Sequence, residues 1–179
     1  MKVPEWVEKL WDKYGLSEDV RRHCIAVAEL AVKIAEKVAR CRDVDVELVR
    51  VGALLHDIGR AVTHDPFRHF LASSEILRRE GVDERIVRIA ERHFSAGLRA
   101  EEAAKLGLEA RDYIPKTLEE KIVSYADNLT FGSRHGSFED FIRRLDEIDA
   151  RNPELRWLTE VTKERAKRMK EEIERAMEC

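Results

Sequence analysis

Apolar residues recur at every third or fourth position along most of the chain, which is the spacing of one face of an α-helix. A first short helix is predicted from Pro4 to Tyr14, where Gly15 ends it. Ser17 is a suitable N-cap for a second helix. The inward face of this second helix is predicted to consist of Val20, His23, Val27, Leu30, Ile34 and Val38. A histidine therefore lies within an otherwise apolar face.

The same spacing predicts helices along the remainder of the chain. Asp43 or Asp45 can cap a helix that continues through His56-Asp57 and ends near Gly59. Thr117 and Glu120 have the spacing of a capping box. Helices are predicted over about residues 43–59, 67–80, 83–94, 99–106 and 138–149, with others beginning at residue 117 and after Pro153. No strand hairpin, internal repeat or glycine-rich phosphate loop is predicted.

This pattern predicts an all-α bundle of about seven to nine helices. With 179 residues, the chain has the length of one domain. We expect residues 1–179 to form that single domain, with a core at about 17–130 and C-terminal helices at 138–178 packing on it. The last helix has mixed charges on its outer faces, so we expect it to be solvated there rather than to bind a partner.

Composition narrows the function classes. Charged residues make up 39% of the chain, yet the net charge is only −3, which argues against a dedicated nucleic-acid-binding protein. Glutamine is absent and asparagine occurs only at positions 128 and 152, a composition typical of thermophile proteins. There is no N-terminal apolar leader and no run long enough to span a membrane, so we expect a cytoplasmic protein.

The three cysteines do not indicate a metal knuckle or a disulfide framework. Cys24, Cys41 and Cys179 are widely and unevenly spaced. We expect Cys24 and Cys41 to pack as small apolar side chains, and a reducing compartment fits this composition.

The candidate chemistry begins with His56-Asp57, which lies inside the apolar segment 51–59. A buried charge is unfavourable unless it is paired or bound to a metal. His23, His69 and His93 each fall at or near the inward face of a different predicted helix, and Asp127 lies on a further one. Helical bundles build metal sites from single side chains on facing helices. One inward histidine on each of four helices therefore predicts a metal site.

The order His23, His56-Asp57, His69, His93, Asp127 resembles the HD-domain superfamily of metal-dependent phosphohydrolases. The resemblance covers about residues 17–130. The arrangement of these residues is similar to that in the small bacterial HD proteins that hydrolyse diadenosine tetraphosphate. The segment 117–129 looks closer to a small archaeal HD group. In that family, His69 and His93 would mark a two-metal member.

The resemblance implies two ligand sets that share one carboxylate. His23, His56, Asp57 and Asp127 would hold one ion, and Asp57, His69 and His93 the other. Mixed imidazole and carboxylate ligands suit several divalent transition metals. We favour iron or manganese, and cobalt, nickel, zinc and magnesium remain candidates.

Two positions depart from the family pattern. Arg60 stands where many members have lysine, and it keeps a cation near the site with a geometry suited to phosphate. Phe94 stands where many two-metal members have a second histidine, which argues against cyclic-dinucleotide hydrolysis.

The expected function is metal-dependent hydrolysis of a nucleotide or other small phosphate ester, as a phosphomonoesterase or phosphodiesterase. Asp57 and Arg60 are the candidate catalytic residues, while Arg60, His64 and Asn128 are candidates for binding the substrate. The pocket walls are expected in the loops 63–68, 95–99 and 131–137. A diiron oxygenase of the HD type, a regulatory protein that binds metal or nucleotide without turnover, and a structural metal site are the alternatives. A homodimer is left open.

Overall fold

A computed structural model describes residues 1–179 as a bundle of nine α-helices with one very short β-hairpin. The helices are α1 (Glu5–Tyr14), α2 (Glu18–Ala39), α3 (Val46–Leu55), α4 (His69–Arg79), α5 (Glu84–Glu91), α6 (Ala100–Lys105), α7 (Leu118–Asn128), α8 (Phe138–Arg151) and α9 (Arg156–Ala176). Two 3-10 turns, Ile58–Ala61 and Pro153–Leu155, follow α3 and precede α9. The all-α prediction is confirmed.

The hairpin contradicts the prediction that no strand pairing occurs. Strands β1 (Thr130–Phe131) and β2 (Arg134–His135) pair antiparallel around a turn at Gly132. Each strand has only two residues, so no alternation of apolar and polar positions is long enough to reveal it. The hairpin directs the backbone after α7 towards α2, where the site forms.

Helix boundaries follow local capping chemistry. The Ser17 hydroxyl accepts from the backbone N–H of Val20, and Asp45, rather than Asp43, caps α3 through the N–H of Leu48. Gly15 ends α1 in the left-handed conformation, with φ of 66°. These starts and stops agree with the predicted ones to within a few residues.

Aliphatic side chains form the main core, as the low aromatic content predicts. Helix α2 packs against α3 and α7, while α3 also packs against α5. The Trp11 indole donates to the backbone carbonyl of Leu54 over 3.1 Å and ties α1 to α3. Trp6, on the same helix, is 44% exposed. None of the helices combines the length and the apolarity needed to cross a lipid bilayer.

Two cysteines form a disulfide, which contradicts the expectation that Cys41 packs as a free thiol. Helix α9 runs back along the bundle, so Cys179 at its far end meets Cys41 just beyond α2. The two Cα atoms are 5.0 Å apart although 138 positions separate them in sequence. Cys24 is a free buried thiol, as expected.

Candidate metal centre

His56 and Asp57 lie side by side because α3 ends at Leu55 rather than near Gly59. Consecutive residues on a continuous helix point about 100° apart and do not face each other. After Leu55 the chain turns and enters the 3-10 turn Ile58–Ala61. The turn allows both side chains to reach one cluster, and both are fully buried or nearly so.

Each of the four cluster histidines is oriented by a backbone carbonyl. Nδ1 of His23 contacts the carbonyl of Gly132 at 2.6 Å, and Nδ1 of His93 contacts that of Ala90 at 2.6 Å. The Nδ1 atoms of His56 and His69 contact the carbonyls of Ala53 and Asp65 in the same way. A carbonyl only accepts, so Nδ1 carries the hydrogen and donates it. In the neutral rings the Nε2 lone pairs are then left for the centre of the cluster, an arrangement common at histidine metal ligands.

Asp57 divides this cluster into two groups. Its Oδ2 lies 3.5 Å from Nε2 of His23 and 3.5 Å from Nε2 of His56. Its Oδ1 lies 3.3 Å from Nε2 of His69 and 3.2 Å from Nε2 of His93. Asp127 completes the first group, because its Oδ1 is 2.9 Å from Nε2 of His23. Ligand atoms within each group all lie within 4.8 Å of one another.

Two features of the cluster indicate that its ligand atoms fit divalent cations. Nε2 of His69 and Nε2 of His93 approach to 3.2 Å, so two lone pairs face each other when both rings are neutral. Oδ1 of Asp57 is buried and has no hydrogen-bond donor. Lone pairs that converge without a hydrogen between them repel, and a cation removes that repulsion.

Other buried carboxylates are handled differently. Glu102 pairs with Arg165 through two hydrogen bonds of 2.9 and 3.1 Å, and Glu120 pairs with Arg92 at 2.8 Å. Arginine thus neutralises acids elsewhere in the core. The Oδ1 side of Asp57 faces only imidazoles, which distinguishes it from these acids and makes it a candidate ligand.

The pKa values of the histidines also differ between the two groups. Burial opposes the charge on Asp57, but the neighbouring imidazoles of His56, His69 and His93 outweigh it and hold its pKa well below the ordinary value. Burial also lowers the pKa of His56, yet the carboxylates of Asp57 and Asp127 prevail and raise that pKa well above normal. For His93, burial prevails and lowers the pKa. The first group therefore tends to hold protons that a metal must displace.

The cluster opens into a cavity of about 710 Å³. Arg60 lines it and donates from Nε to Oδ2 of Asp57 over 2.9 Å. Asn128 also lines it, and its Nδ2 is buried without a hydrogen-bond partner. His64 is exposed and is not among the lining residues, because the 62–68 loop turns Pro66 and Phe67 inward instead. The structure thus brings together every predicted site residue except His64.

The cavity has a wall that the sequence did not predict. Of the predicted wall loops, only Pro66, Phe67, Ser95 and Gly132 contribute lining residues. The opposite wall consists of side chains from α8, the Pro153–Leu155 turn and α9. Phe141, Leu145 and Ile148 on α8 have the helical spacing of ordinary core residues, so the sequence carried no signal that they border a cavity.

Comparisons with known proteins agree with this geometry. The model of the HD domain family matches residues 20–132. An uncharacterized protein of Methanocaldococcus jannaschii is 49% identical over 137 residues, which is 76% of this chain and 80% of that protein. A tRNA (cytidine(56)-2'-O)-methyltransferase of Thermoplasma volcanium is 48% identical over 68% of this chain. The match spans about a third of that longer protein, 35% of its length.

The structural comparison shows the same fold. The HD domain of the phosphodiesterase PgpH from L. monocytogenes superimposes with a TM-score of 0.53 and 19% identity, covering 92% of this chain and 96% of that one. The same domain in complex with cyclic-di-AMP gives a TM-score of 0.55 at 18% identity, covering 93% and 96%. The ligand groups, the family match and this shared fold lead to one conclusion: the chain belongs to the HD domain family.

Proposed function

We propose that the protein is a metal-dependent phosphohydrolase acting on a nucleotide or another small phosphate ester. One observation supports this most strongly: the two oxygens of Asp57 face two separate groups of histidine Nε2 atoms. His23, His56, Asp57 and Asp127 would hold one divalent ion, and Asp57, His69 and His93 a second. Iron and manganese suit these ligands best.

Bound ions would supply an activated water and neutralise charge on a phosphoryl group. The chain's own residues would provide the rest. Arg60 is anchored on Asp57 by its Nε, so its remaining N–H groups are available for a phosphate oxygen. Asn128, next in sequence to Asp127, lines the same cavity and is the remaining candidate for contact with the substrate. The backbone carbonyls on Nδ1 hold the imidazoles in position, so little reorganisation is needed when substrate enters.

Relatives with known names are consistent with phosphoester chemistry. The chain is 30% identical to a ribonuclease Y from Acidothermus cellulolyticus over 76% of its own length and 24% of that protein. The cavity lies within the size range of small-molecule sites, roughly 300–1,000 Å³. A small ester therefore fits better than a folded macromolecule.

The test combines metal analysis with substrate turnover. We expect purified protein to contain close to two transition-metal ions per chain. Phosphate release from nucleoside monophosphates and p-nitrophenyl phosphate is then measured with Mn²⁺, Fe²⁺, Co²⁺, Ni²⁺ and Mg²⁺. Asp57→Ala and His56→Ala should lower the rate on the order of 100-fold or more and reduce the bound metal.

His135→Ala is the matched control. His135 contacts the carbonyl of Ala26 and belongs to neither ligand group, so its variant should keep the metal and the activity. Absence of phosphate release with every metal, or full activity in Asp57→Ala, would overturn the proposal.

A further inference from the structure

One face of α7 carries a row of polar side chains inside the core. Glu120, Ser124 and Asp127 follow one another at intervals of four and three residues, so they lie on the same side of the helix. Glu120 is 4% exposed and Ser124 is completely buried. Burial of a polar group is unfavourable unless the group has a hydrogen-bond partner. The partners of this row therefore show what the buried face of α7 holds in place.

Ser124 binds the segment that carries His93. Its hydroxyl lies 2.8 Å from the carbonyl oxygen of Ser95 and 3.3 Å from that of His93. A hydroxyl has one hydrogen, so it donates mainly to the nearer oxygen, which is that of Ser95. Asp127, about one turn further along α7, belongs to the first ligand group. The same helix face therefore contributes to one ligand group directly and contacts the other through Ser124.

The segment around His93 depends on such contacts because it lies outside any helix. Helix α5 ends at Glu91, so His93 and Ser95 belong to the loop that follows. Ser95 has a φ of 53° and is the only residue other than glycine with a positive φ. The left-handed conformation is unfavourable for a residue with a side chain, and it persists where surrounding contacts impose it. The Ser124 hydroxyl bonds this same strained residue.

Two other contacts act at or before His93 and do not reach Ser95. The side chain of Arg92 donates to Glu120 over 2.8 Å, which ties the end of α5 to α7. The carbonyl of Ala90 accepts from Nδ1 of His93 and orients the imidazole. Ser124 is therefore the member of the α7 row that holds the loop beyond His93.

We propose that Ser124 is a positioning residue for the second ligand group, which consists of Asp57, His69 and His93. Its hydroxyl holds the loop at Ser95, and the loop keeps Nε2 of His93 at 3.2 Å from Oδ1 of Asp57. The inference rests on the proposed function for the presence of a second ion. It adds that the geometry of the second ion site is set by α7, the helix that also supplies a ligand to the first.

Ser74 provides a matched control for Ser124. Both side chains are buried, and the Ser74 hydroxyl also donates to a backbone carbonyl, that of Leu71, over 2.9 Å. This bond stays within α4. Ser124→Ala and Ser74→Ala therefore remove the same atom and the same kind of bond, but only the first variant changes a contact with the loop of His93. Urea unfolding of both variants checks that they fold and lose similar stability.

The first measurement is a Co²⁺ titration of the protein after its metal has been removed with a chelator. The visible absorption of bound Co²⁺ reports its ligands and geometry, and the bands that His69→Ala loses belong to the second ion. We expect Ser124→Ala to shift these bands and to bind the second ion about tenfold more weakly, the lower end of the range for residues that support metal ligands. The first ion, and both ions in Ser74→Ala, should bind as in the wild type.

The second measurement tests the part played by the strained backbone. Glycine adopts a positive φ without strain, so Ser95→Gly reduces the need for the loop to be held. Added to Ser124→Ala, it should restore the cobalt bands and recover about threefold of the tenfold loss in affinity. A general loss of stability at Ser124 would not respond to this change. Absence of any recovery would count against the proposal.

The cobalt titration needs no turnover, so it separates this inference from the proposed function. Ser124→Ala with wild-type affinity for the second ion, equal weakening of both ions, or a wild-type protein without a second ion would each refute the positioning role. If the cobalt results are as expected but no ester is hydrolysed, the positioning role stands and the phosphohydrolase proposal fails. If esters are hydrolysed and Ser124→Ala binds both ions normally, only the positioning role fails.

Discussion

Gly59 lies where the turn that carries Asp57 packs closely against α4, the helix that begins with His69. A Cβ added at Gly59 would lie 2.1 Å from the carbonyl oxygen of His69 and 2.4 Å from the backbone N of Ser73. Ordinary contact begins at 3.4 Å, so the two segments must separate by about 1.3 Å, the difference between 3.4 and 2.1 Å. The clashing atoms belong to backbone and cannot rotate away.

Gly59→Ala is therefore expected to act on stability and on metal binding together. Overpacking a tight contact lowers the free energy of unfolding by about 1–3 kcal/mol. The Gly59 N–H also donates to the Ser73 hydroxyl over 2.7 Å, and losing that bond adds about 1 kcal/mol. The sum, about 2–4 kcal/mol, leaves most proteins folded. Separation of Asp57 from His69 should then weaken the ion site formed by Asp57, His69 and His93.

Urea unfolding and metal analysis of the refolded protein measure the two effects. Ser73→Ala is the control, since it removes the hydrogen bond but leaves the space, and it should lose about 1 kcal/mol and no metal. The reasoning is refuted if the free energy of unfolding of Gly59→Ala lies within about 0.5 kcal/mol of the wild-type value and the variant binds the same number of ions. The added methyl group would then cause no steric destabilisation.

Two further predictions concern the covalent bond and the pH dependence of metal binding. Reducing the Cys41–Cys179 disulfide opens a loop that spans 138 positions. The chain-entropy relation predicts that the free energy of unfolding falls by about 5 kcal/mol, which lowers the midpoint of guanidinium unfolding. Equal midpoints with and without reductant would contradict this prediction. The raised pKa values of His23 and His56 favour the protonated imidazoles in the metal-free protein. Protonation therefore stabilises the folded metal-free protein fully below about pH 6.5, and this stabilisation is lost as the pH rises through the raised pKa values. Affinity for Mn²⁺ should therefore increase with pH above about 6.5, with proton release visible in calorimetry across buffers of different ionisation enthalpy; pH-independent affinity would count against these two ligands.

The grouping of the candidate ligands was predictable because its signal is local. Each histidine falls on an inward position of a predicted helix, so the spacing predicts that its ring lies in the core. Even there, helix ends were misjudged: α5 ends at Glu91, and His93 follows it in the loop rather than on the helix. The break after Leu55 depends on how Asp57 and Gly59 pack against α4, which no residue spacing reports.

The remainder could not be predicted because it depends on contacts distant in sequence. Leu145 and Leu158 have the spacing of core residues, and only the arrangement of α8 against α9 shows that they also border a cavity. The partnership of Cys41 with Cys179 depends on the path of the whole bundle. Spacing between cysteines carries no information about such a path.

The Cys41–Cys179 bond closes most of the chain into a covalent ring, and that ring divides the ligands unequally. His56, Asp57, His69, His93 and Asp127 lie inside it, whereas His23 lies in the segment that precedes it. A single backbone cut in any loop of the ring leaves both pieces joined. His23, in contrast, is held in place by the packing of α2 against α3 and α7 rather than by the covalent ring. One ligand group thus lies wholly within the closed ring, whereas the other takes one of its members, His23, from outside it.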